Sequence, residues 1–470
     1  MLDCKLTILS NSALEQIHAA ALAILADTGL RVEHPRMVQL LRKEGCQLAP
    51  AGDMVRFPKD VIERHLARAQ AAAVPQEQPR DLCLTVYASA RYIFDDVLGR
   101  TRDATWSDLV DGIRVGDSMR YADSIGPVAL PCDIPAEGCN LRIYAELYRR
   151  TRKGVGPLVV DRESIDPMFD LCSIYLGSAE EVRRSKFMSY SAFVTSPLIY
   201  THYALDLAFE FADRNLPVSA GGTMALTGAT APATLAGTLA LGGAETLSGL
   251  VLTHILGGDG GYCNVPAVLD QNTMMACYAS PEKILMSVAQ MDLRRFYGFE
   301  SYGAIHTGKA DSGMVDVQAG AERAYTMLLG ALAGSRCAYA GELSCEVGSV
   351  TQLLIDDELC SLVNRLLEGV SVDESTLCVD LIRDMGPGAD YVSDSRSLDV
   401  TMKHFRQEFW LPTIFARRQG DKCILGDGDA YARARQRVAD ILSQPEQFVT
   451  DDDQDRQIQD VLDRAAKARE

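Results

Sequence analysis

The chain has few of the features that assign function by inspection. Its 13 cysteines are scattered, odd in number and form no C-x-x-C pair. That argues against a disulfide framework and for reduced thiols. The seven histidines, His18, His34, His65, His202, His254, His306 and His404, include no second His or Cys at zinc-finger or H-E-x-x-H spacing, so no metal is expected in the protein itself. No G-x-G-x-x-G follows a first strand, and there is no P-loop. No run of about 18 apolar residues is free of Gly or polar interruption, so no spanning helix is expected. The opening MLDCKLTILSNSALEQ lacks the basic-then-apolar order of a signal peptide. Positive charge is scarce: 46 Lys and Arg stand against 64 Asp and Glu, a net charge of −18. This argues against nucleic acid and anionic membrane as main partners, suits the cytoplasm and admits a cationic ligand.

What is present has the make-up of a globular protein, with 47% hydrophobic and 23% charged residues over 470 positions. Residues 216–266, LPVSAGGTMALTGATAPATLAGTLALGGAETLSGLVLTHILGGDGGYCNVP, read as strand, Gly/Thr loop, helix, strand, with Thr230 and Pro232 starting the helix. The helix, 233–256, has almost no polar face, so it is buried on several sides, inside a layered α/β protein or at a subunit interface. Before it, residues 11–26, 35–43 and 60–70 have helical apolar spacing, the first with Ser12 and Glu15 in a capping-box pattern. These form a helical N-terminal cap over 1–80, with 71–79 a linker. Residues 83–103 alternate as a β-hairpin or meander, and 106–119 are helical behind Thr105 or Ser107, giving a unit over 81–120.

From there strands and helices alternate. Strands are expected at 126–131, 155–160, 187–194, 217–222, 261–265, 299–304, 337–341 and 389–393, separated by helices. Serial β-α units are the mark of a (β/α)₈ TIM barrel, here over 121–417 with helical N- and C-terminal extensions, the latter over 418–470. A doubly wound sheet is the competing fold. In a barrel, functional groups lie at the C-terminal strand ends. That selects Pro131, Asp133, Asp161, Ser196, Thr223, Asn264, His306 and Glu342. The bland readings are that Asp133 and Asp161 cap helices, that Ser196 before Pro197 makes a turn, and that His306 is a satisfied loop histidine. Glu342, after CAYAG and in a loop of small residues, is the strongest candidate. Tyr190, Phe193, Tyr200, Tyr262, Tyr302 and Tyr339 crowd the same ends. Most would fill the core; a few beside a carboxylate would cage a quaternary ammonium.

An ordered set of segments carries a resemblance: TSPLIY (195–200), GATAPATLAGTLALGGAETLSG (228–249), SPEKILMSVAQMDLRRFYG (280–298), DVQAGAERA (316–324), QLLIDDEL (352–359) and HFRQEFWLP (404–412), with AILADTGLRVEHPRMVQLLRKEGC (23–46) and GRTRDATWSDL (99–109). Together they resemble the trimethylamine methyltransferase family. The resemblance implies a TIM-barrel enzyme moving a methyl group from a methylated amine to the cobalt of a separate corrinoid protein. Founding members carry pyrrolysine before the QLVID-like motif. Here that segment is GELSCEVGSVT (341–351), with no pyrrolysine and no lysine in its place. Members of that kind are associated with quaternary amines such as glycine betaine, proline betaine and carnitine.

The chemistry is consistent with that division. A quaternary ammonium leaves as a neutral amine without a general acid, so cobalt(I) attack needs mainly positioning and desolvation. The site then requires a cage for N⁺, an anchor for any carboxylate and an open mouth. Glu342 is the expected catalytic residue. His306 and Asn264 are the expected anchors, and Tyr262, Tyr302, Tyr339 and Phe193 the expected cage. The chain itself holds no cofactor in this reading, because cobalamin arrives on the partner; a homo-oligomer is expected. Rival readings are a trimethylamine or other methylamine substrate, transfer straight to tetrahydrofolate, and a quaternary-amine binding protein without turnover.

Overall fold

The computed structural model describes residues 5–50, 52–73, 81–87, 90–299, 305–344, 346–417 and 428–468. The N-terminal unit comprises α1 (Asn11–Ala23), β1 (Leu30–Val32), α2 (Pro35–Lys43), β2 (Gln47–Leu48), β3 (Met54–Arg56) and α3 (Lys59–Ala72). Its helices fall where the apolar spacing puts them. Leu14, Ile17 and Ala21 are buried along α1. The cap of α1 is Ser10, whose side chain accepts from the Ala13 amide, rather than Ser12. The three strands form an antiparallel ladder in the order β2-β3-β1. The expected linker lies mostly outside the described residues.

The body follows with β4 (Cys83–Val86), β5 (Tyr92–Asp95), β6 (Arg100–Asp103), α4 (Trp106–Ser118), β7 (Ala122–Ile125), α5 (Cys139–Arg150), α6 (Ile165–Leu176), α7 (Ala179–Ser185), β8 (Tyr190–Ala192), β9 (Ile199–Tyr200), α8 (His202–Asp213) and β10 (Val218–Ala220). Next come β11 (Leu226–Thr227), α9 (Leu235–Ile255), β12 (Ala267–Leu269), β13 (Ala276–Cys277), α10 (Pro281–Phe296), α11 (Val317–Leu332), β14 (Cys337–Ala340), β15 (Val347–Gly348) and α12 (Val350–Glu368). The architecture is mixed α/β with small parallel sheets. β14 pairs with β4 (Cys337 opposite Cys83) and β4 with β7, both in parallel. Ile125 bridges Gly154 in parallel, β8 runs parallel to β10, and Thr223 bridges Asn264 in parallel. On the other side of β14, the Tyr339 amide donates to Thr307 O at 2.9 Å.

Several strand expectations change. β4 does not turn back on β5; only β5 and β6 make the hairpin. Leu84 and Val86 alternate because they pack beneath helices, and alternation says nothing about which strand is the partner. β7 precedes the expected 126–131, which form the loop after it. The run 155–160 is no strand, the bridge falling on Gly154 just before it, and 261–265 contributes the single bridge at Asn264. Of 299–304, only Phe299 lies within the described residues. The segment 389–393 is no strand: Asp390 Oδ1 accepts from the Val392 amide at 2.9 Å, an Asx turn leading into the next helix.

α9 explains the glycine-rich stretch. Every residue from Thr238 to His254 is buried, and the helix packs against α1, α3, α10 and β10. A Cβ on Gly249 would lie 2.2 Å from Gly221 Cα, and one on Gly242 would lie 2.4 Å from the side-chain Nδ2 of Asn264. Small residues therefore let the helix lie directly on the backbone at Gly221 and on the side chain of Asn264. By length and composition α9 passes as a membrane span, but 83% of its most apolar window is buried inside the molecule.

The chain ends with α13 (Glu374–Leu377), α14 (Val379–Met385), α15 (Ser395–Glu408), α16 (Ala430–Leu442) and α17 (Asp452–Lys467). α16 packs on α12 and α4, and α17 on α6 and α5. Arg114 Nη2 donates to the carbonyls of Leu442, the last residue of α16, and Gln444, and Arg149 pairs with Asp455 at 2.6 Å.

Candidate active site

β14 ends in a loop that the next helix holds in place. Gly341, at φ +84°, donates its amide to Asp356 Oδ2 of α12 at 2.8 Å. The Ser349 amide returns to Gly341 O at 2.7 Å, and the Ser349 side chain caps α12. Beneath the loop, Arg323 of α11 and Asp356 form an ion pair at 3.3 Å with no solvent exposure. The Arg323 guanidinium also donates to Gly308 O and Glu342 O. Asp356 accepts from Gln352 Nε2 at 2.9 Å as well. Burial raises the Asp356 carboxyl to about 6 in spite of Arg323.

Within this frame Glu342 is buried, and its Oε2 lies 2.6 Å from Nζ of Lys309. That ammonium sits 4.9 Å from the ring centroid of Tyr278 and 5.2 Å from that of Tyr339. His306 meets Tyr339 edge-on at 5.0 Å. Burial, reinforced by Lys283 and Lys309, holds the His306 imidazole well below its ordinary range, so it is neutral. Its Nδ1 is buried without a hydrogen-bond partner. Lys283, wholly buried on α10, donates to Ser287 Oγ (2.7 Å), Ile305 O (3.1 Å) and His306 O (3.0 Å). Burial pushes its ammonium down to about 7. Two aromatic faces, a carboxylate and an enclosed ammonium make a cation cage whose occupant in this structure is a tethered lysine.

The description "Trimethylamine methyltransferase (MTTB)" belongs to a family model that matches residues 3–469. The chain belongs to the trimethylamine methyltransferase family. It is 29% identical to trimethylamine methyltransferase MttB of Methanosarcina barkeri, over 99% of this chain and 96% of that one. It is 25% identical to MttB of Desulfitobacterium hafniense (92% and 88%) and 25% identical to the glycine betaine methyltransferase of Desulfitobacterium hafniense strain Y51 (93% of each). The solved monomethylamine methyltransferase MtmB of Methanosarcina barkeri aligns at 11% identity over 93% of this chain and 96% of its own, with a TM-score of 0.44. The chain is therefore a methyltransferase, and a family member without pyrrolysine.

Of the residues singled out from this sequence, Glu342, Tyr339 and His306 come together. Tyr262 and Asn264 point elsewhere. Two apart on one run, they share a face, and that face is turned to the helices: Tyr262 lies 5.0 Å from Tyr297 at the end of α10, and Asn264 lies against Gly242 of α9. Phe193 lies on Gly222 and is 54% exposed, apart from the lysine cluster. Tyr302 falls outside the described residues. Glu342 is paired with Lys309 rather than with Arg336, the partner a structural role suggests. Asp133 caps α4 by accepting from the Trp106 amide at 2.8 Å, and Asp161 accepts from the Ser164 amide at 2.7 Å.

Sequence reasoning missed Lys309, Tyr278, Lys283, Arg323, Asp356 and Glu245. Glu245, buried in α9, accepts from the Leu198 amide at 2.8 Å and from Thr223 Oγ1, and burial raises its carboxyl. A lone charge on an apolar helical face was the available signal in α9, α11 and α12. Among the described residues, one group has ligand atoms within 4.8 Å of one another: His34, His202 and Asp206. It joins α2 to α8. Its imidazoles stack at 13° with centroids 4.8 Å apart, so their lone pairs run side by side instead of converging on an ion.

Proposed function

We propose that the chain transfers a methyl group from a zwitterionic quaternary amine, a betaine with glycine betaine the first choice, to the cobalt(I) of a separate cytoplasmic corrinoid protein. One observation carries this reading: the buried Glu342–Lys309 pair between Tyr278 and Tyr339. A betaine carries both charges of that pair in one small molecule. Its N⁺ takes the place of the Lys309 ammonium against Glu342 and the two rings, and its carboxylate takes the freed ammonium. The neutral His306 ring has one N–H to offer the same carboxylate. A simple cation displaces Lys309 and leaves it unpaired, which costs about 3–5 kcal/mol for a buried charge. The 25% identical glycine betaine methyltransferase supports the choice.

In the transfer, the cobalt(I) electron pair attacks the methyl carbon, the C–Co bond forms as C–N breaks, and nitrogen keeps the bonding pair. No proton moves, because the leaving amine is neutral. The protein contributes alignment and removal of water from the methyl groups. We take β4, β7, the run through Gly154, β8, β10, the run through Asn264, the 305–308 segment and β14 as the eight strands, in order, of a closed (β/α)₈ barrel. The parallel pairings among them support this. The barrel then includes β4 as well as residues 121–417, with residues 1–80 as a helical cap and 418–470 as a helical extension.

The test is methylation of a cobalt(I) corrinoid protein, followed by its visible spectrum, with glycine betaine, proline betaine, carnitine, choline, tetramethylammonium and trimethylamine. A betaine is expected to lead choline and trimethylamine by about a hundredfold or more in kcat/KM. Equal rates for choline or trimethylamine overturn the zwitterion reading.

A further inference from the structure

We propose that Cys83 and Cys337 form a reversible oxidation site, a dithiol that closes into a disulfide between β4 and β14 when it meets a peroxide. The two residues stand directly opposite each other in the parallel ladder, at the start of its run of registered pairs. Neighbouring strands lie about 4.8 Å apart, within the ~4.4–6.8 Å that a disulfide spans between Cα atoms. Opposite residues in register also send their side chains to the same face of the sheet. The bond therefore forms without moving either strand. About 250 residues separate the two cysteines along the chain, so only the fold reveals the pair.

The surroundings give the two sulfurs different roles. Thr85 Oγ1 lies 3.1 Å from Cys337 Sγ and 3.0 Å from Ser124 Oγ, and Cys83 Sγ donates to Arg336 O at 3.1 Å. Hydrogen bonding from Cys83 holds the Cys337 thiol down to about 7, with Thr85 helping and burial opposing. The Cys83 thiol is pushed up in turn, by Cys337 first and by burial next, and Asp123 adds to the rise. At neutral pH the pair thus holds one thiolate, on Cys337, beside one thiol, on Cys83. Burial raises the thiols of Cys46 and Cys172 to about 12 instead, which leaves them unreactive. Both members of the pair are only half-buried.

The chemistry runs in two steps. The Cys337 thiolate attacks one peroxide oxygen; the S–O bond forms, the O–O bond breaks, and hydroxide leaves. Cys83 then attacks the sulfur of the Cys337 sulfenic acid; the S–S bond forms, the S–O bond breaks, and the Cys83 proton leaves with the second oxygen as water. Two thiols are oxidised and one peroxide is reduced to two waters. A dithiol reductant reverses the change. Cys337 and Tyr339, two apart on β14, share a face, and Cys337 adds to the rise of the Tyr339 phenol. The disulfide would therefore form one layer of side chains from a ring that faces Lys309, tying the strand that leads into Glu342 to β4. The dithiol needs only the strand pairing, whatever the cage binds.

The experiment uses the reduced full chain at neutral pH. It is treated with a small excess of hydrogen peroxide, its remaining thiols are alkylated, and its peptides are read by mass spectrometry. The peptides carrying Cys83 and Cys337 are expected to appear joined, two hydrogens lighter than their sum, and to separate again with dithiothreitol. The joined protein is expected to melt higher by about 5 °C, because an unstrained bond closes a long loop in the unfolded chain. In Cys83→Ser, Cys337 should be trapped as a sulfenic acid by a cyclic-dione probe. In Cys337→Ser, loss of the Cys83 thiol should slow by about tenfold or more. The unmutated protein carries the main readout, so misfolding of a variant does not decide the matter. Cys83 and Cys337 surviving while other thiols are lost, either one joined to a different cysteine, oxidation that dithiothreitol does not reverse, or a joined protein that melts lower each overturns the proposal.

Discussion

Replacing Lys309 with Met separates the two roles the lysine can have, and the expected effects differ in sign between ligands. The Glu342–Lys309 distance of 2.6 Å corresponds to about 6 kcal/mol of attraction at an effective dielectric of about 20. Desolvation offsets most of it, leaving about 1–3 kcal/mol net. On the proposed function, a betaine keeps every charge paired in the unmutated protein, whereas tetramethylammonium would displace the lysine. In Lys309→Met, tetramethylammonium meets an unpaired Glu342 with nothing to displace, and its binding is expected to tighten by about fivefold to 150-fold. Glycine betaine loses the partner of its carboxylate and weakens by a similar factor. Titration calorimetry with the two ligands reads this directly. The ligand-free variant is also expected to melt lower, because Glu342 is left buried alone, and tetramethylammonium should restore the loss. If both ligands weaken equally, the lysine only props the loop. If neither changes, the cage is not where the amine binds.

Two further outcomes follow from the buried charges. Arg323→Met removes the partner of Asp356 and the donors to Gly308 O and Glu342 O; a loss of about 3–5 kcal/mol of stability is expected, read from the urea midpoint. Lys283→Met tests pH dependence: the native ammonium titrates near 7 and the unfolded one near ~10.4. Between those values the unfolded chain holds the extra proton, so this group makes stability rise with pH. The urea midpoint of the unmutated protein should therefore climb relative to Lys283→Met from pH 7 to 10, and parallel curves would refute the assignment.

Local pattern carries much of the molecule and fails at identifiable points. α9 is legible as an unbroken run of small and apolar residues, although it starts at Leu235 behind Thr234 and not at Thr230 or Pro232; α11 is legible from its apolar spacing behind Asp316, which caps it. The strand faces are not. Tyr262 and Asn264 sit on a run held by one bridge, and a period of two read one residue out exchanges the face toward the helices for the other. The face opposite theirs carries Cys263, which is close enough to Tyr339 to add to the rise of its phenol pKa. β4 was readable as extended but not as the neighbour of β14, about 250 residues away, since alternation does not name a partner. Lys309 lies in HTGKADSG, a sequence with the composition of a solvated turn. Only the return of β14 beside Thr307 brings that turn over Tyr339 and Glu342.

The buried charges share a pattern that bears on how the site works. Lys283 holds the carbonyls of residues 305 and 306, and Arg323 those of 308 and 342. Asp356 holds the amide of Gly341, and Glu245 that of Leu198. Each charge is on a helix, and each backbone atom is on a loop at or near a strand end. Apolar packing could fill the same volumes at lower desolvation cost. It could not fix peptide groups in direction, because dispersion contacts are not directional. The displacement proposed above moves no proton, so it depends on geometry above all, and a small misplacement of the methyl would cost rate steeply. On the proposed function, the costly buried charges orient loops at the strand ends, and the cage itself is left to two tyrosines, a glutamate and a lysine that the substrate would displace.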